Sequence, residues 1–324
     1  MLYTSSALAI GSASLGSILF SLGGFYLLRG RMSEDIRSGI GSVIGATQVG
    51  NWPFLLGRWL GGVAYLCALI LGFMLTIMAL HLLRGDGPIE PLIYLQNYVL
   101  MLVPMVLFTA SVAMLFDSWS PLMGKGGDVL FFFLWAGQLG MVGATQENGF
   151  IALVELFDFN GMGASMLGVT QGLGTTHVAL GGGDFDAALA PVLLPNALWR
   201  VDVVLVRCAT SAIALLPAVL AALLFHRFSP DRVKVSRASK RRTPLEVINT
   251  LFKPLARLAT PLFGLAARIG GMPGQVLGDV ALTLAASPVA ILALLLCTPL
   301  ALVAAPDAVL KPSRWARWCS GACW

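Results

Sequence analysis

The stretch "FLLGRWLGGVAYLCALILGFMLTIMALHLL", residues 54–83, decides the fold class of this chain. Arg58, near its start, is the only Lys, Arg, Asp or Glu that it contains. Because a helix rises about 1.5 Å per residue, roughly 20 apolar residues cross a hydrocarbon core about 30 Å thick. The stretch is therefore long and apolar enough to form a membrane-spanning helix.

The composition of the whole chain indicates the same class. Of 324 residues, 57% are hydrophobic and only 11% are charged, and the mean hydropathy is +0.83. A soluble globular protein is about 25% charged, so this chain has too few polar residues to cover a surface in water. Its 36 glycines also fit, since Gly is more frequent in membrane helices. We expect an all-α, polytopic membrane helical bundle.

Six apolar runs predict about six membrane-spanning segments. The fourth is the shortest, and it is either a span with little tilt or a re-entrant segment. The runs are 7–28, 54–83, 92–116, 129–142, 201–225 and 280–304.

The distribution of Lys and Arg predicts the topology, because these residues concentrate in cytoplasmic loops. Basic residues gather between runs one and two, and again in "HRFSPDRVKVSRASKRR" after run five, whereas no Lys or Arg lies between Lys125 and Arg200. The loop 29–53 and the segment 226–279 are therefore predicted to be cytoplasmic, and the loop 143–199 to be outside. The net charge of +5 follows from this bias, and no nucleic-acid partner is expected.

The two ends of the chain do not fit this topology. It places the N-terminus outside, and it also places the basic tail 311–317 outside if run six crosses outward. We therefore expect the chain to be an incomplete piece of a longer protein. Its predicted parts are a membrane domain at 1–226, a basic cytoplasmic linker with interfacial helices at 227–279, a sixth span at 280–304 and an irregular tail at 305–324.

The loop 29–53 has its own helical pattern. Ser33 can cap a helix whose first turn holds two acids, where the helix dipole favours negative charge. Apolar residues from Met32 to Ile44 recur on one face, Gly45 is placed to end the helix, and Trp52 is an aromatic of the membrane interface. The pattern predicts one short helix lying under the bilayer. The alternative is a solvated connector with an interfacial anchor.

Two further stretches are amphipathic. "FIALVELF", residues 150–157, is too short to span and is predicted to lie at the outer interface. Residues 243–271 show helical spacing interrupted by prolines. We expect short interfacial helices there, with Lys253, Arg257 and Arg268 facing anionic headgroups.

Charged and small residues within the runs are the other candidates for a site. Arg200, Asp202 and Arg207 cluster at the start of run five, where they either line a translocation path or anchor the helix at the interface. Gly57 and Gly61 form a G-x-x-x-G pattern, which serves either internal packing or a dimer seam.

No residues are expected to be catalytic or to bind a metal. His81, His177 and His226 are far apart in the sequence, and no Ser, His and Asp set has helpful spacing. The cysteines within the runs, Cys67 and Cys208 among them, are predicted to be small packing residues.

The stretch "EDIRSGIGSVIGATQVGNWPFLLGRWLGG", residues 34–62, resembles the cytoplasmic segment of type-2 permease subunits of ATP-binding-cassette (ABC) transporters. The family's Pro and Ser are replaced here by Gln48 and Gly50, and "FHRFSP" at 225–230 is similar to the family's exit from its last helix. The resemblance covers roughly residues 7–232. The matching residues are Glu34, Asp35, Gly39, Ala46, Thr47, Val49, Leu55, Leu56, Gly57 and Arg58.

The resemblance implies a multi-pass subunit of an export-type ABC transporter in the cell membrane, either inner or plasma. A second permease copy or half and a separate ATPase subunit would be its partners. The chain has no P-loop, since "SPLMGKGGD" lacks the first Gly and the Ser/Thr, so ATP would be used by the partner and no cofactor is expected here. The residues implied to contact the ATPase are Glu34, Asp35, Ile36, Arg37, Gly39, Ile40, Ala46 and Thr47.

The same resemblance bears on the ends of the chain. Run one matches the family's second helix, and run six has the character of the first span of another permease unit. Two readings from other classes stay open. One is a membrane-embedded lipid-modifying enzyme, which would use Arg200, Asp202 and Arg207. The other is a truncated membrane protein that does not transport.

Overall fold

The computed structural model describes residues 4–85, 87–148, 152–174, 193–196, 199–225, 260–269 and 271–286. Every regular element in these ranges is a helix, as the apolar runs predict. A 3₁₀ turn at Ser120–Leu122 precedes α6. The α-helices are α1 (Ser5–Leu28), α2 (Arg31–Arg37), α3 (Ile40–Ala46), α4 (Asn51–Arg84), α5 (Pro91–Ser118), α6 (Lys125–Asn148), α7 (Ala152–Leu156), α8 (Met162–Leu173), α9 (Val201–Ile213), α10 (Leu216–Leu224), α11 (Thr260–Ile269) and α12 (Gly271–Ala286).

Four helical stretches of the described chain are long and apolar enough to cross a membrane. They are Ser5–Ile36, Asn51–Leu83, Pro91–Ser118 and Val201–Leu224. The predicted count of about six spans is not confirmed. The fourth run forms α6, a 24-residue helix that extends past the run into polar residues at both ends. The sixth run lies mostly outside the described residues.

The centre of the bundle is α5, against which α1 and α4 pack. Of the most apolar window of α5, 67% is buried, compared with 17% for α9 and α10 together. Its core side chains include Tyr94, Met101 and Met105, each 0% exposed. Burial on several sides explains why α5 carries no one-sided apolar stripe.

Small side chains allow α1 to lie close to its neighbours. Ser12, Ser17 and Ser21 are all buried on this helix, and the Ser12 hydroxyl lies 2.9 Å from the Tyr98 hydroxyl of α5. A Cβ atom on Gly24 would lie 2.8 Å from the Leu66 side chain of α4. Small and hydroxyl-bearing residues are typical of such close helix contacts in membranes.

On the far side of the bundle from α2 and α3, the predicted outer loop contains two helices. The stretch "FIALVELF" contributes the five-residue α7, which packs against α9. The Gly-rich stretch that follows forms the 12-residue α8, which the sequence pattern did not predict. A turn at 157–161 connects the two helices, and Gly161 within it has φ +71°.

At the opposite end, α11 and α12 pack against each other, and α12 packs along α4. The described part of the predicted interfacial stretch 243–271 is helical, and Arg268 is exposed near the end of α11. Lys253 and Arg257 lie outside the described residues.

Candidate functional site

The predicted cytoplasmic loop forms two short helices instead of one. The expectation of a single helix from Ser33 to Gly45 was wrong, because Gly39 adopts φ +77° and separates α2 from α3. Ser33 does not cap the helix either, since its hydroxyl donates to the Gly30 carbonyl at 2.7 Å. Gly30 precedes α2 at φ +85°. Both breaks use the left-handed region, which glycine enters without a steric cost.

The cap of α2 comes from another helix. The carboxylate of Asp117, at the end of α5, accepts the backbone N–H groups of Gly30 at 3.1 Å and Met32 at 3.5 Å. Asp117 is 6% exposed and Met32 is 1% exposed. A carboxylate at a helix N-terminus both accepts unpaired donors and complements the helix dipole. The start of α2 is therefore fixed to the end of α5.

Arg29 joins the end of α1 to the start of α6. Its Nε lies 2.6 Å from Asp128 Oδ1, and its Nη2 donates to the carbonyls of Leu122 at 2.5 Å and Gly124 at 2.9 Å. The Arg29 side chain is only 7% exposed. This residue braces two helices and is not a solvated loop charge.

Four charged side chains from α2, α4 and α12 lie together, and we call them the inner charge cluster: Arg31, Asp35, Arg58 and Asp279. Arg58 Nη1 lies 2.5 Å from Asp35 Oδ2. Both terminal nitrogens of Arg31 lie 3.4 Å from the Asp279 carbonyl oxygen, and Nη1 lies 3.9 Å from its carboxylate. Burial raises the pKa of the Asp279 carboxyl above its ordinary value, and the positive charges of Arg58 and Arg31 only partly offset that effect.

A small cavity lies between the inner charge cluster and Asp117. Its volume is about 30 Å³, and Arg31, Arg58, Asp117 and Trp59 are among its lining residues. A cavity of this size holds roughly one water molecule. The region is therefore a packed polar junction between helices and not a substrate pocket.

α3 differs from α2 in its surroundings. It contains no charged residue, and Ile40 and Val43 are 52% and 65% exposed. The predicted common apolar face from Met32 to Ile44 is therefore divided, because Met32 turns into the core while Ile40 and Val43 point outward.

The residues implied to contact an ATPase thus occupy different environments. Glu34 is exposed on α2, Asp35 and Ile36 are half-buried, and Arg37 is the last residue of that helix. Gly39, Ile40, Ala46 and Thr47 are all exposed, in or beside α3.

The G-x-x-x-G pattern of α4 faces α12. A Cβ atom on Gly57 would lie 2.5 Å from the Gln275 amide carbon, and one on Gly61 would lie 2.5 Å from the Asp279 Cβ. Gln275 also donates to the Phe54 carbonyl at 3.5 Å. These glycines let α12 lie close to α4 within the chain. Of the two roles considered for them, internal packing and a dimer seam, this contact corresponds to internal packing.

The three charges predicted to cluster at the start of run five are not brought together. Arg200 and Asp202 form a surface ion pair at 3.2 Å, with side chains 66% and 62% exposed. Arg207 is 2% exposed and donates to backbone carbonyls of α5 and of the turn at 157–161. Arg207 therefore lies apart from the exposed Arg200–Asp202 pair.

The remaining candidates lie apart. His81 Nδ1 lies 2.9 Å from the Tyr94 hydroxyl in the core, while His177 and His226 lie outside the described residues. In the part of the chain that is described, no group of three or more His, Cys, Asp or Glu side chains is placed to hold a metal ion. Cys67 and Cys208 are exposed, so the prediction that they pack within the bundle was wrong.

Asp117 and Asp279 are the acids of this polar junction that the sequence pattern did not mark as candidate site residues. Each is an acid beside an apolar run, in "MLFDS" and "LGDVAL", which was the available signal.

No protein-family model, curated protein or solved structure matches the chain.

Proposed function

We propose that this chain is a membrane-spanning permease subunit of an ABC transporter, of the export-like type-2 class. It forms part of the translocation path in a cell membrane and couples to a separate ATPase subunit through α2 and α3. The observation that carries the proposal is that an exposed apolar helix, α3, is attached to the spans through a half-buried, ion-paired one, α2.

The connections of α2 are suited to transmitting motion. Asp117 fixes its start to α5, Arg58 pairs with its Asp35, and its Arg31 contacts Asp279 of α12. These contacts are largely buried, so a displacement of α2 would have to move the attached helices or break desolvated polar contacts, which is costly.

The surface of α3 is suited to docking. Ile40 and Val43 present aliphatic groups, and the helix carries no charge that binding would have to desolvate. Short helices commonly bind by placing such residues in an apolar groove. In this proposal Ile40 and Val43 are the apolar contacts and Glu34 is a polar contact at the rim. Asp35, which pairs with Arg58, transmits motion instead of touching the ATPase.

The outer surfaces of the helices fit a lipid environment and a second permease copy. Leu71, Leu75 and Leu82 on α4 are each more than half exposed, and apolar surface of this extent is unfavourable in water. A second copy, or a related half, would complete the pathway. ATP is bound by the partner and not by this chain, and no nucleic acid takes part.

Co-purification with an ABC ATPase subunit from the same genome tests the proposal. Val43→Asp places a charge at the more exposed of these two apolar side chains, and we expect it to reduce the recovered ATPase at least about tenfold, because a buried unpaired charge costs several kcal/mol. Ala267→Asp, at an exposed position of α11, is the matched control and should leave recovery unchanged. Equal recovery with Val43→Asp would contradict docking through α3.

A further inference from the structure

Arg207 is the most completely buried arginine among the described residues, and all of its acceptors are backbone carbonyls. It is 2% exposed. Its Nε donates to Leu100 at 2.9 Å and its Nη2 to Met101 at 3.1 Å, both on α5. Its Nη1 donates to the Asp158 carbonyl and its Nη2 also to that of Phe159 at 3.4 Å, both in the turn at 157–161. It takes part in none of the ion pairs found within the described ranges.

Pro104 explains one of the two acceptors on α5. A proline has no N–H, so the carbonyl four residues before it loses its helical donor. That carbonyl belongs to Leu100, and the Arg207 Nε donates to it. A charged side chain within a membrane span is costly, and here the guanidinium is placed where the helix has an unsatisfied acceptor. The α5 half of the contact is therefore a stable seat for Arg207.

The turn at 157–161 packs closely against Arg207 and α5. A Cβ atom on Gly161 would lie 2.9 Å from Arg207 Nη2 and 3.1 Å from the Met101 Cα, so only glycine allows the approach. The Phe159 ring stacks on Phe108 of α5 with centroids 3.9 Å apart, and the Phe159 N–H donates to Gln138 of α6 at 3.2 Å. The turn thus closes the space between α5, α6 and α9.

In this closed position, some buried polar atoms of the turn lack hydrogen-bond partners. Asp158 and Asn160 are 4% and 3% exposed, yet Asp158 Oδ1 and Asn160 Nδ2 have no hydrogen-bond partner among the described residues. A buried polar atom without a partner is costly. Withdrawal of the turn would return these two atoms to water, while Arg207 would keep its two carbonyls on α5.

We propose that the turn at 157–161 is an outer closure of the translocation path, and that Arg207 is the positioning residue that holds it shut. The path opens when the turn leaves Arg207, which stays seated on α5. This inference rests on the proposed transport function for the meaning of the path, but the hold of Arg207 on the turn can be tested without it.

The first experiment measures access to the turn. The full chain is placed in liposomes, with its five native cysteines replaced by serine and Asn160→Cys as a reporter, and is treated with a membrane-impermeant maleimide. Arg207→Gln should raise the labelling rate at least about tenfold, because charge-assisted hydrogen bonds are lost, and Arg207→Lys should lie between. Arg200→Gln, which removes an exposed arginine of the same region, is the control and should change nothing. An unchanged rate with Arg207→Gln would overturn the proposal.

A second reporter separates opening from unfolding. Ala13→Cys lies in the core at 0% exposure and should stay protected in every variant. If Arg207→Gln exposes position 13 as well, that variant has unfolded. The closure is then tested in the chain that keeps Arg207.

In that chain, co-purified with its ATPase, MgATP should raise labelling at position 160. Unchanged labelling in a complex that hydrolyses ATP would overturn the closure while leaving the permease function standing. Failure of the two proteins to co-purify would instead contradict the permease function. The labelling rate at position 160 in Arg207→Gln would still show whether Arg207 holds the turn in place.

Discussion

Asp35 and Arg58 form the shortest ion pair among the described residues, at 2.5 Å, and each side chain is only 16% exposed. Asp35 belongs to α2 and Arg58 to the first turns of α4. Their pairing joins the short charged helix to a long apolar one. Because both groups are largely removed from water, each depends on its partner.

Removing Arg58 should cost more stability than removing Asp35. Arg58→Gln leaves two nearby carboxylates, Asp35 and Asp279, without their shared cation, whereas Asp35→Asn leaves Arg58 beside Asp279. We expect a loss of about 1–3 kcal/mol for Arg58→Gln and a smaller one for Asp35→Asn. The free energy of unfolding in detergent measures both.

The double variant completes this cycle. Asp35→Asn with Arg58→Gln should cost less than the sum of the single changes, because the second change removes a partner that is already lost. Strict additivity would show that the two residues do not act as a pair.

Asp117 should prove to be a structural cap of α2. Asp117→Ala removes both acceptors for the N–H groups of Gly30 and Met32, and we expect it to lower the free energy of unfolding by about 0.5–2 kcal/mol, as for other helix caps. Asp117→Asn keeps one acceptor and should cost less. Asp202→Asn is the control, since Asp202 is 62% exposed. Equal effects of Asp117→Ala and Asp202→Asn would argue against the cap.

The two glycines of the G-x-x-x-G pattern should respond unequally to a methyl group. In Gly61→Ala the new atom meets the Asp279 Cβ, which is fixed to the backbone of α12, whereas in Gly57→Ala it meets the flexible end of Gln275. We expect a loss of about 1–3 kcal/mol for Gly61→Ala and less for Gly57→Ala. Gly11→Ala meets nothing within 4 Å and should stabilise α1 by roughly 0.5–1 kcal/mol. A larger loss of stability for Gly57→Ala than for Gly61→Ala would mean that α12 does not make its closest contact with α4 at Gly61.

The long helices could be predicted from the sequence because each is encoded by a continuous apolar run. The run 54–83 became Asn51–Arg84, and the run 92–116 became Pro91–Ser118. α8 could not be predicted in this way. Its three glycines weaken the local preference for a helix, and it is stabilised by packing against α1 and α6.

The candidate site was predictable only within one segment. The position of Asp35 beside an amphipathic pattern drew attention to α2, but its pairing with Arg58 could not be read from spacing. Asp117 lies 87 residues from the Gly30 N–H that it accepts. Arg207 was conspicuous as a charge in an apolar run, but its acceptors are backbone carbonyls, which have no residue type. For these acceptors the sequence gives one signal. Pro104 on α5 has no N–H, which leaves the Leu100 carbonyl without its helical donor.

Glu155, on α7, should make stability depend on pH. Burial raises the pKa of its carboxyl above the ordinary value, and the charges of Asp202 and Asp158 raise it further. The folded state therefore binds this proton more tightly than the unfolded state does. Its stabilising effect is complete below the ordinary Glu pKa and is lost as the pH rises through the raised value.

Glu155→Gln should consequently stabilise the chain relative to the native residue near pH 7, and the difference should vanish near pH 4, where Glu155 is largely protonated. Thermal unfolding in detergent across this range measures the difference. The same change made in an Asp202→Asn background should show a weaker pH dependence, because one of the two carboxylates that raise the pKa is then gone. A difference that does not vary with pH would show that Glu155 is not perturbed in the folded chain.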